Sequence, residues 1–251
     1  MKSYSSEQHK IWTILIANLV LAVIGIWYAS PAWLWLSVIG YLGISRVGGE
    51  IAGHRYGAHQ AFEPTKTWHI ILSTLQIFNC LGSTISWALT HAAHHKYTDQ
   101  PKDPHSPHVS PWWKIMLTIF PPLPYCTIPS SVRKDPLQRF YHNHYFTILI
   151  STYAILALIS WEIPVFLISV VSVVNIMIAG ITNIACHMYG YTNFNVNDKS
   201  TNNTFVNLIT LGGGWHNNHH ANPSAWDFGV KSYEWDLCGV FIKYVIRPKT
   251  S

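Results

Sequence analysis

Long apolar stretches separated by polar segments dominate the chain. Residues 11–29 contain no charged side chain, and Ser30-Pro31 interrupts the pattern before it resumes over residues 32–53. Two further apolar stretches, residues 145–161 and 164–185, follow in the second half. Because a helix of about 20 mostly apolar residues crosses a bilayer, the pattern predicts four membrane-spanning helices arranged as two hairpins.

A fifth apolar stretch, residues 68–90, differs from these four. It contains several polar residues, namely Gln76, Asn79, Ser83, Thr84 and Ser86. A full crossing here would also separate the histidines before it from those after it. We therefore expect a surface-lying or re-entrant helix over residues 68–90.

Composition supports an all-α integral membrane protein with one domain over residues 1–251. Hydrophobic residues make up 49% of the chain and charged residues only 11%, whereas soluble domains carry about 25% charged residues. Lysine and arginine form no extensive cluster, which argues against nucleic acid as a partner. Both outer turns, at Ser30-Pro31 and Trp161-Glu162, lack lysine and arginine. The positive-inside rule then predicts a multi-pass protein with both termini and a helical cap, residues 54–144 and 186–251, on the cytoplasmic side.

Histidines recur along the chain with a spacing suited to metal binding. The stretches His91-Ala92-Ala93-His94-His95 and His216-Asn217-Asn218-His219-His220 place histidines at i, i+3 and i+4, positions that share one face of a helix. A looser pair, His54 and His59, lies upstream. Imidazole is a common ligand of iron, zinc and copper, and this set exceeds what one four-coordinate zinc needs. The pattern predicts a histidine-rich site that holds two metal ions.

Polar residues near these histidines are further candidates. Asn183 and His187 lie four apart at the cytoplasmic end of the last predicted span, where a polar pair is typically functional; the alternative for Asn183 is an amide bond between packed helices. Asp99 and Asp103 follow the central histidines and could accept hydrogen bonds from their second ring nitrogens, or could form a solvated turn. Weaker acidic candidates after the last cluster are Asp227, Glu234 and Asp236.

The order HxxxxH, HxxHH, HxxHH, with membrane hairpins between, resembles the integral-membrane fatty acid desaturase family. The resemblance covers about residues 11–246 and is greatest to the Δ9, stearoyl-type enzymes of the bacterial and plant acyl-lipid branch. The matching segments are His54-Arg55-Tyr56-Gly57-Ala58-His59, His91–His95 with Lys96-Tyr97-Thr98-Asp99, Asp103-Pro104-His105, Asn183–His187 and Gly214–His220.

This resemblance implies a non-haem di-iron oxidoreductase of lipid metabolism. Such an enzyme uses O2 and two electrons to insert a cis double bond, at Δ9 in this branch, into a fatty-acyl chain in the bilayer. The acyl chain would be lipid-linked or CoA-linked, and a separate donor such as ferredoxin or cytochrome b5 would supply the electrons. No separate acid or base residue is implied. The implied ligands of the two iron ions are His54, His59, His91, His94, His95, His187, His216, His219 and His220, with Asn183 acting through a water.

Several positions near the histidines bear on the substrate. Trp87 matches an aromatic residue that lines the bend of the acyl tunnel in the animal enzymes; the alternative is interfacial anchoring. Ala92 stands where the family usually has arginine, and Leu89-Thr90 where acyl-CoA enzymes carry charge. Gly213 stands where glutamate is common. Without those charges the contacts to CoA phosphates would be missing, which weakens the case for a CoA-linked substrate.

Three other functions share part of this pattern. A related membrane di-iron hydroxylase would carry the same histidine motifs and make an alcohol instead of an alkene. A histidine-rich metal transporter should place its ligands near the bilayer midplane, whereas these histidines lie at and beyond helix ends. A lipid-binding relative without catalytic activity would bind no iron.

Overall fold

Helices and their connections make up the described chain. The computed structural model describes residues 4–248, with side chains from residue 11 onward. The α-helices are α1 (Tyr4–Tyr28), α2 (Leu34–Gly40), α3 (Lys66–Phe78), α4 (Thr84–Tyr97), α5 (Trp112–Met116), α6 (Ser130–Arg133), α7 (Pro136–Asn143), α8 (Tyr145–Ile159), α9 (Glu162–Pro164), α10 (Val170–Met188), α11 (Thr204–Thr210), α12 (His216–Ala221) and α13 (Leu237–Phe241). A 3-10 turn and three π-helical segments complete the set: Pro31–Trp33, Tyr41–Ala58, Val165–Ser169 and Ile242–Ile246. Residues 4–248 contain isolated β-bridges and no strand, which confirms the predicted all-α class.

Within residues 4–248, two helices are long and apolar enough to cross a membrane. They are Ile11–Tyr28, within α1, and Glu162–Met188, in which α9, a π-helical segment and α10 join. Both correspond to predicted spans. Many apolar side chains of α1 point away from the protein, and Trp27 is 81% exposed. Such a continuous exposed apolar surface is typical of a face that contacts lipid or another apolar partner.

The other two predicted spans are helical but less clearly suited to a bilayer. The chain from Leu34 continues through α2 into the π-helix Tyr41–Ala58, and Arg46 and Glu50 lie within it. α8 is apolar throughout but has only 15 residues. The predicted helix over residues 68–90 needs a correction, because the structure divides it into α3 and α4.

A turn between Asn79 and Ser83 makes this division. Gly82 has φ +94° and Cys80 has φ +60°, a conformation that interrupts a right-handed helix and that glycine adopts at little cost. Ser83 then accepts a hydrogen bond from the backbone N–H of Ser86 and caps α4. The Gly82-Ser83 pair is therefore the sequence feature that indicates a break between two helices.

The π-helix Tyr41–Ala58 lies at the centre of the packing. π-Helices usually last a single turn and are frequent at functional sites, whereas this one has 18 residues. One buried apolar cluster joins its Ile44 to α3, α8 and α10, and a second joins its Ile51 to α3 and α13. The π-helix therefore holds the buried His54 on a support that is packed on several sides.

Glycines allow α3 to approach this helix closely. A Cβ atom added at Gly48 would lie 2.7 Å from the backbone oxygen of Leu75, and one added at Gly53 would lie 2.5 Å from the side-chain oxygen of Gln76. Backbone cannot move aside as a flexible side chain can. The contact between α3 and the π-helix therefore requires glycine at position 48.

We expect Gly48→Ala to lower stability by about 1–3 kcal/mol, because the new methyl group overpacks against the backbone of α3. Gly43→Ala is the matched control on the same helix, where an added Cβ meets nothing within 4 Å. Its expected effect is neutral or slightly stabilising. Thermal unfolding in detergent, followed by size-exclusion chromatography, compares the two variants. Equal melting temperatures would contradict this account of the packing.

Candidate metal centre

Nine histidines converge from four separate segments into two adjacent groups. Within each group the ring nitrogens that could bind a metal all lie within 4.8 Å of one another. The five-histidine group is His54, His59, His91, His95 and His219, and the four-histidine group is His94, His187, His216 and His220. The ring centroids of His95 and His220, one from each group, are 4.6 Å apart. The two groups are therefore parts of one site.

Each HxxHH stretch is divided between the two groups. The sequence predicted that the three imidazoles of a stretch point in one direction. In the structure His91 and His95 of α4 join one group, whereas His94 joins the other. Helix geometry explains the division, since residues i and i+4 differ by about 40° in direction but consecutive residues differ by about 100°. In the same way, α12 gives His219 to the five-histidine group and two histidines to the four-histidine group.

Ring nitrogens face one another at short distances in both groups. The Nε2 atoms of His59 and His91 are 2.7 Å apart, and those of His95 and His219 are 2.9 Å apart. In the four-histidine group, the Nε2 atoms of His216 and His187 are 3.1 Å apart.

Carboxylates on the opposite side of the rings determine which ring nitrogen carries the proton. Nδ1 of His94 donates to Asp103 at 3.0 Å, and Nδ1 of His220 donates to Asp198 at 2.9 Å. A carboxylate only accepts hydrogen bonds, so Nδ1 holds the proton and Nε2 keeps its lone pair. The two Nε2 atoms lie 3.3 Å apart and, both being acceptors, cannot hydrogen-bond to each other. A cation between the lone pairs removes their repulsion, so the donor set suits a metal ion.

Four carboxylates hold site histidines in this way. The sequence suggested Asp99 and Asp103, and the structure places Asp99 3.1 Å from Nδ1 of His187. Sequence reasoning missed two others. Asp198 comes from the loop before α11, and Glu50 lies one turn before His54, with its carboxylate 3.2 Å from Nδ1. Glu50 could have been predicted, because it is a charged residue one turn before a histidine inside an apolar run. No local sequence signal marked Asp198.

Burial keeps most of the site histidines neutral. It lowers the pKa of His94 to about 3, with a further contribution from the neighbouring His187. Burial first, and nearby imidazoles second, also hold the pKa of several others well below the usual value: His91, His95, His216, His219 and His220. Metal binding requires neutral imidazole, so these rings have lone pairs available at physiological pH.

The two asparagines inside the last motif fix the short helix α12. The side chain of Asn217 accepts the backbone N–H of Phe194, and Asn218 donates to Glu234 at 2.9 Å. Both asparagines are buried. Glu234 therefore supports the motif through Asn218 rather than through a histidine ring.

Arg55 supports the site from behind His219. Its guanidinium is fully buried, donates to Asp236 at 2.8 Å and lies 4.0 Å from the centre of the Phe228 ring, which itself contacts His219. Asp236 thus pairs with Arg55, and Asp227 is exposed and accepts the backbone N–H of Gly229.

One cavity of about 180 Å³ borders both histidine groups. His54 and His91 line it from one group and His216 from the other, together with Asn183. Trp87 also lines it and stacks on His91, with ring centroids 4.6 Å apart. The other walls include apolar residues from three helices and a loop, namely Ile11, Trp12, Ile115, Phe120, Ile178 and Ala179.

One further buried histidine, His105, lies beside the nine. The His105 ring lies 4.4 Å from that of His94, and His94, Asp103 and His105 form a third possible ligand group. The sequence indicated His105 only as part of a matching segment. Two histidines away from these groups have ordinary hydrogen-bond partners: Nδ1 of His69 contacts the hydroxyl of Tyr56, and Nδ1 of His142 contacts the hydroxyl of Ser83.

Comparisons with known proteins agree on one family. The sequence model of the fatty acid desaturase family matches residues 31–234. The chain is 25% identical over 236 residues to Delta-9 acyl-lipid desaturase 2 of Arabidopsis thaliana, covering 89% of this chain and 75% of that protein. It is 28% identical over 244 residues to the sn-1 stearoyl-lipid 9-desaturase of Synechocystis, covering 93% and 77%. It is also 29% identical over 238 residues to the acyl-CoA 5-desaturase AL21 of Anemone leveillei, covering 92% and 74%. The chain belongs to the fatty acid desaturase family, and is therefore an oxidoreductase that acts on acyl chains.

We expect Asp103→Asn and Asp198→Asn to weaken metal binding in the four-histidine group by about 10–100-fold, since each removes the charged acceptor that orients a histidine. After a chelator challenge, the four-histidine group should lose its metal first, because the five-histidine group contacts neither aspartate. Asp227→Asn, which removes a carboxylate without a histidine contact, should keep the iron content of the unmodified protein. Equal iron loss in all three variants would contradict the assignment.

Proposed function

We propose that the chain is an O2-dependent desaturase that inserts a cis double bond at Δ9 into a lipid-linked acyl chain at a di-iron centre. The observation that carries this proposal is the apolar-walled cavity with both histidine groups on its border. A metal site that opens on such a cavity can act on a hydrocarbon chain, whereas a structural metal site is closed. A metal transporter would instead need a polar path near the bilayer midplane.

The two groups suit two iron ions by the number and chemistry of their donors. We assign one ion to His54, His59, His91, His95 and His219, and the other to His94, His187, His216 and His220, with Asn183 completing the second set through a water. Iron bound there would supply the activation of O2 and the removal of hydrogen from an unactivated chain, chemistry that side chains alone do not provide. Asp99, Asp103, Asp198 and Glu50 orient the histidines through their second ring nitrogens.

The protein's own contribution is to position the acyl chain and to exclude water. Trp87 stacks on His91 at the cavity wall, so a chain that passes this ring lies beside the five-histidine group. Apolar walls stabilise the chain by burying its methylene groups, worth about 0.8 kcal/mol each.

A lipid-linked substrate is favoured over a CoA ester by uncharged residues near the site. Thr90 and Gly213 line the cavity, and Ala92 lines a second opening beside His59 and His95. These three positions offer no charge to CoA phosphates, and among the residues that line the second opening Lys96 is the one lysine or arginine. Two relatives, a Δ9 acyl-lipid desaturase and a stearoyl-lipid 9-desaturase, support the same substrate class and double-bond position. A separate carrier such as ferredoxin or cytochrome b5 delivers the electrons.

The membrane arrangement we propose has four spans in two hairpins, at about residues 11–29, 32–53, 145–161 and 164–185. The cap formed by residues 54–144 and 186–251 then lies with both termini on the cytoplasmic side. Exposed apolar side chains on the predicted spans support this arrangement, including Trp27 on α1 and Leu158 on α8, which is 88% exposed.

Expression in a host that lacks this activity should produce fatty acids with a cis double bond at carbon 9, located by mass spectrometry of derivatised products. His94→Ala should abolish the product because it removes a metal donor, whereas His144→Ala, an exposed histidine on the same side, should retain it. A hydroxylated product would favour the related hydroxylase instead. No change in the lipids of a host that accumulates the folded protein would contradict both functions.

Sidedness is tested by cysteine labelling of intact cells in a Cys126→Ser background, since the other three cysteines are buried. Trp161→Cys at the predicted outer turn should react with a membrane-impermeant maleimide. Lys134→Cys in the predicted cytoplasmic cap should react only after permeabilisation. The reverse pattern would overturn the proposed orientation.

A further inference from the structure

The second opening, on the other side of His91 from the cavity, borders only one of the two histidine groups. His59, His91 and His95 of the five-histidine group line it. Among the described residues, no histidine of the four-histidine group does so. His91 lines both the second opening and the cavity. The five-histidine group can therefore be reached from two directions.

Solvent exposure among the nine histidines is concentrated at this second opening. Three members of the five-histidine group are buried, whereas His59 and His95 are partly exposed. In the four-histidine group three members are buried, and the side chain of His220 is only 1% exposed. Because His59 and His95 both line the second opening, this is where the site meets solvent.

The remaining walls of the second opening carry polar groups and reach the surface. Tyr125 is 79% exposed, and Lys96 and Thr127 are exposed as well. Cys126 is a free, partly exposed cysteine on the same wall. The ammonium group of Lys96 lies 5.3 Å from the centre of the Tyr97 ring. The walls thus offer hydroxyl, thiol and imidazole groups to a small polar species.

A hydrated metal ion suits this opening better than it suits the cavity. The volume of the opening is about 410 Å³, and six water molecules occupy about 180 Å³ in the liquid. The walls of the cavity include Ile115, Phe120 and Ile178, and moving a cation from water to such apolar surroundings is costly. Imidazole, by contrast, is a good ligand for Fe²⁺, and the opening presents three imidazoles.

We propose that the second opening is the route by which Fe²⁺ enters and leaves the five-histidine group, separate from the cavity that takes the acyl chain. This inference rests on the proposed di-iron centre. Its test measures the transfer of metal instead of turnover, so that the two can fail separately.

The experiment uses Cys126 to plug the opening in the iron-loaded protein, held in lipid nanodiscs. The other three cysteines are buried, so a bulky maleimide should react at Cys126 alone, which the intact mass verifies. The iron is reduced under nitrogen, and its release to the chelator ferrozine is followed by absorbance.

Because entry and exit share one path, the adduct should slow the release of at least one of the two iron ions about tenfold, equivalent to about 1.4 kcal/mol in the barrier. Cys126→Ser, treated with the same maleimide, should release its iron at the rate of the unmodified protein.

An unchanged release rate in the alkylated protein overturns the inference, and so does equal slowing in Cys126→Ser. If the alkylated protein does not elute as a folded protein, Thr127→Trp narrows the opening instead. Its control is Ser130→Trp, at an exposed residue that does not line the opening. Equal release rates in these two variants also overturn the inference. A folded protein that holds no iron would contradict the proposed di-iron centre itself.

Discussion

The close approach of buried imidazole lone pairs is the constraint on which the rest of this structure depends. Facing Nε2 atoms lie 2.7–3.3 Å apart in the two groups. Burial lowers the pKa of most of these rings, and carboxylates hydrogen-bonded to Nδ1 of His94, His187 and His220 direct their Nε2 lone pairs inward. The Nε2 lone pairs of His94 and His220, 3.3 Å apart, repel one another, so a cation between them stabilises the arrangement. That requirement brings together residues 54–59, 91–95, 187 and 216–220.

The fold meets this requirement with rigid supports outside the ligand set. The glycine-lined contact with α3 fixes the π-helix that carries His54. Asn217 and Asn218 anchor the single short helix α12, which alone would be too short to be stable in water. The ion pair of Arg55 with Asp236 closes the site behind His219. Burying such a pair costs free energy, and removing one partner is strongly destabilising. Loss of this contact would therefore destabilise the metal centre.

Periodic patterns predicted much of this architecture. Apolar runs predicted the helical class and the positions of α1 and α10. The HxxHH spacing identified six of the nine histidines that the structure brings together, and the looser pairs His54/His59 and Asn183/His187 indicated the other three. The division of each motif between two groups follows from helix geometry but needs the positions of the partner segments. Asp198 reaches His220 only through the tertiary path of its loop, so no local pattern marks it. The long π-helix and the second opening beside His59 and His95 likewise depend on packing between distant segments.

The central claim is that the two histidine groups hold two different iron sites. Five imidazoles surround one position and four surround the other, so the two ions should be inequivalent. Mössbauer spectroscopy of protein purified from cells grown on isotopically enriched iron, combined with the ratio of iron to protein, measures this directly. Two iron ions per chain and two quadrupole doublets of equal area are predicted. One iron ion or none in the folded protein would contradict the account.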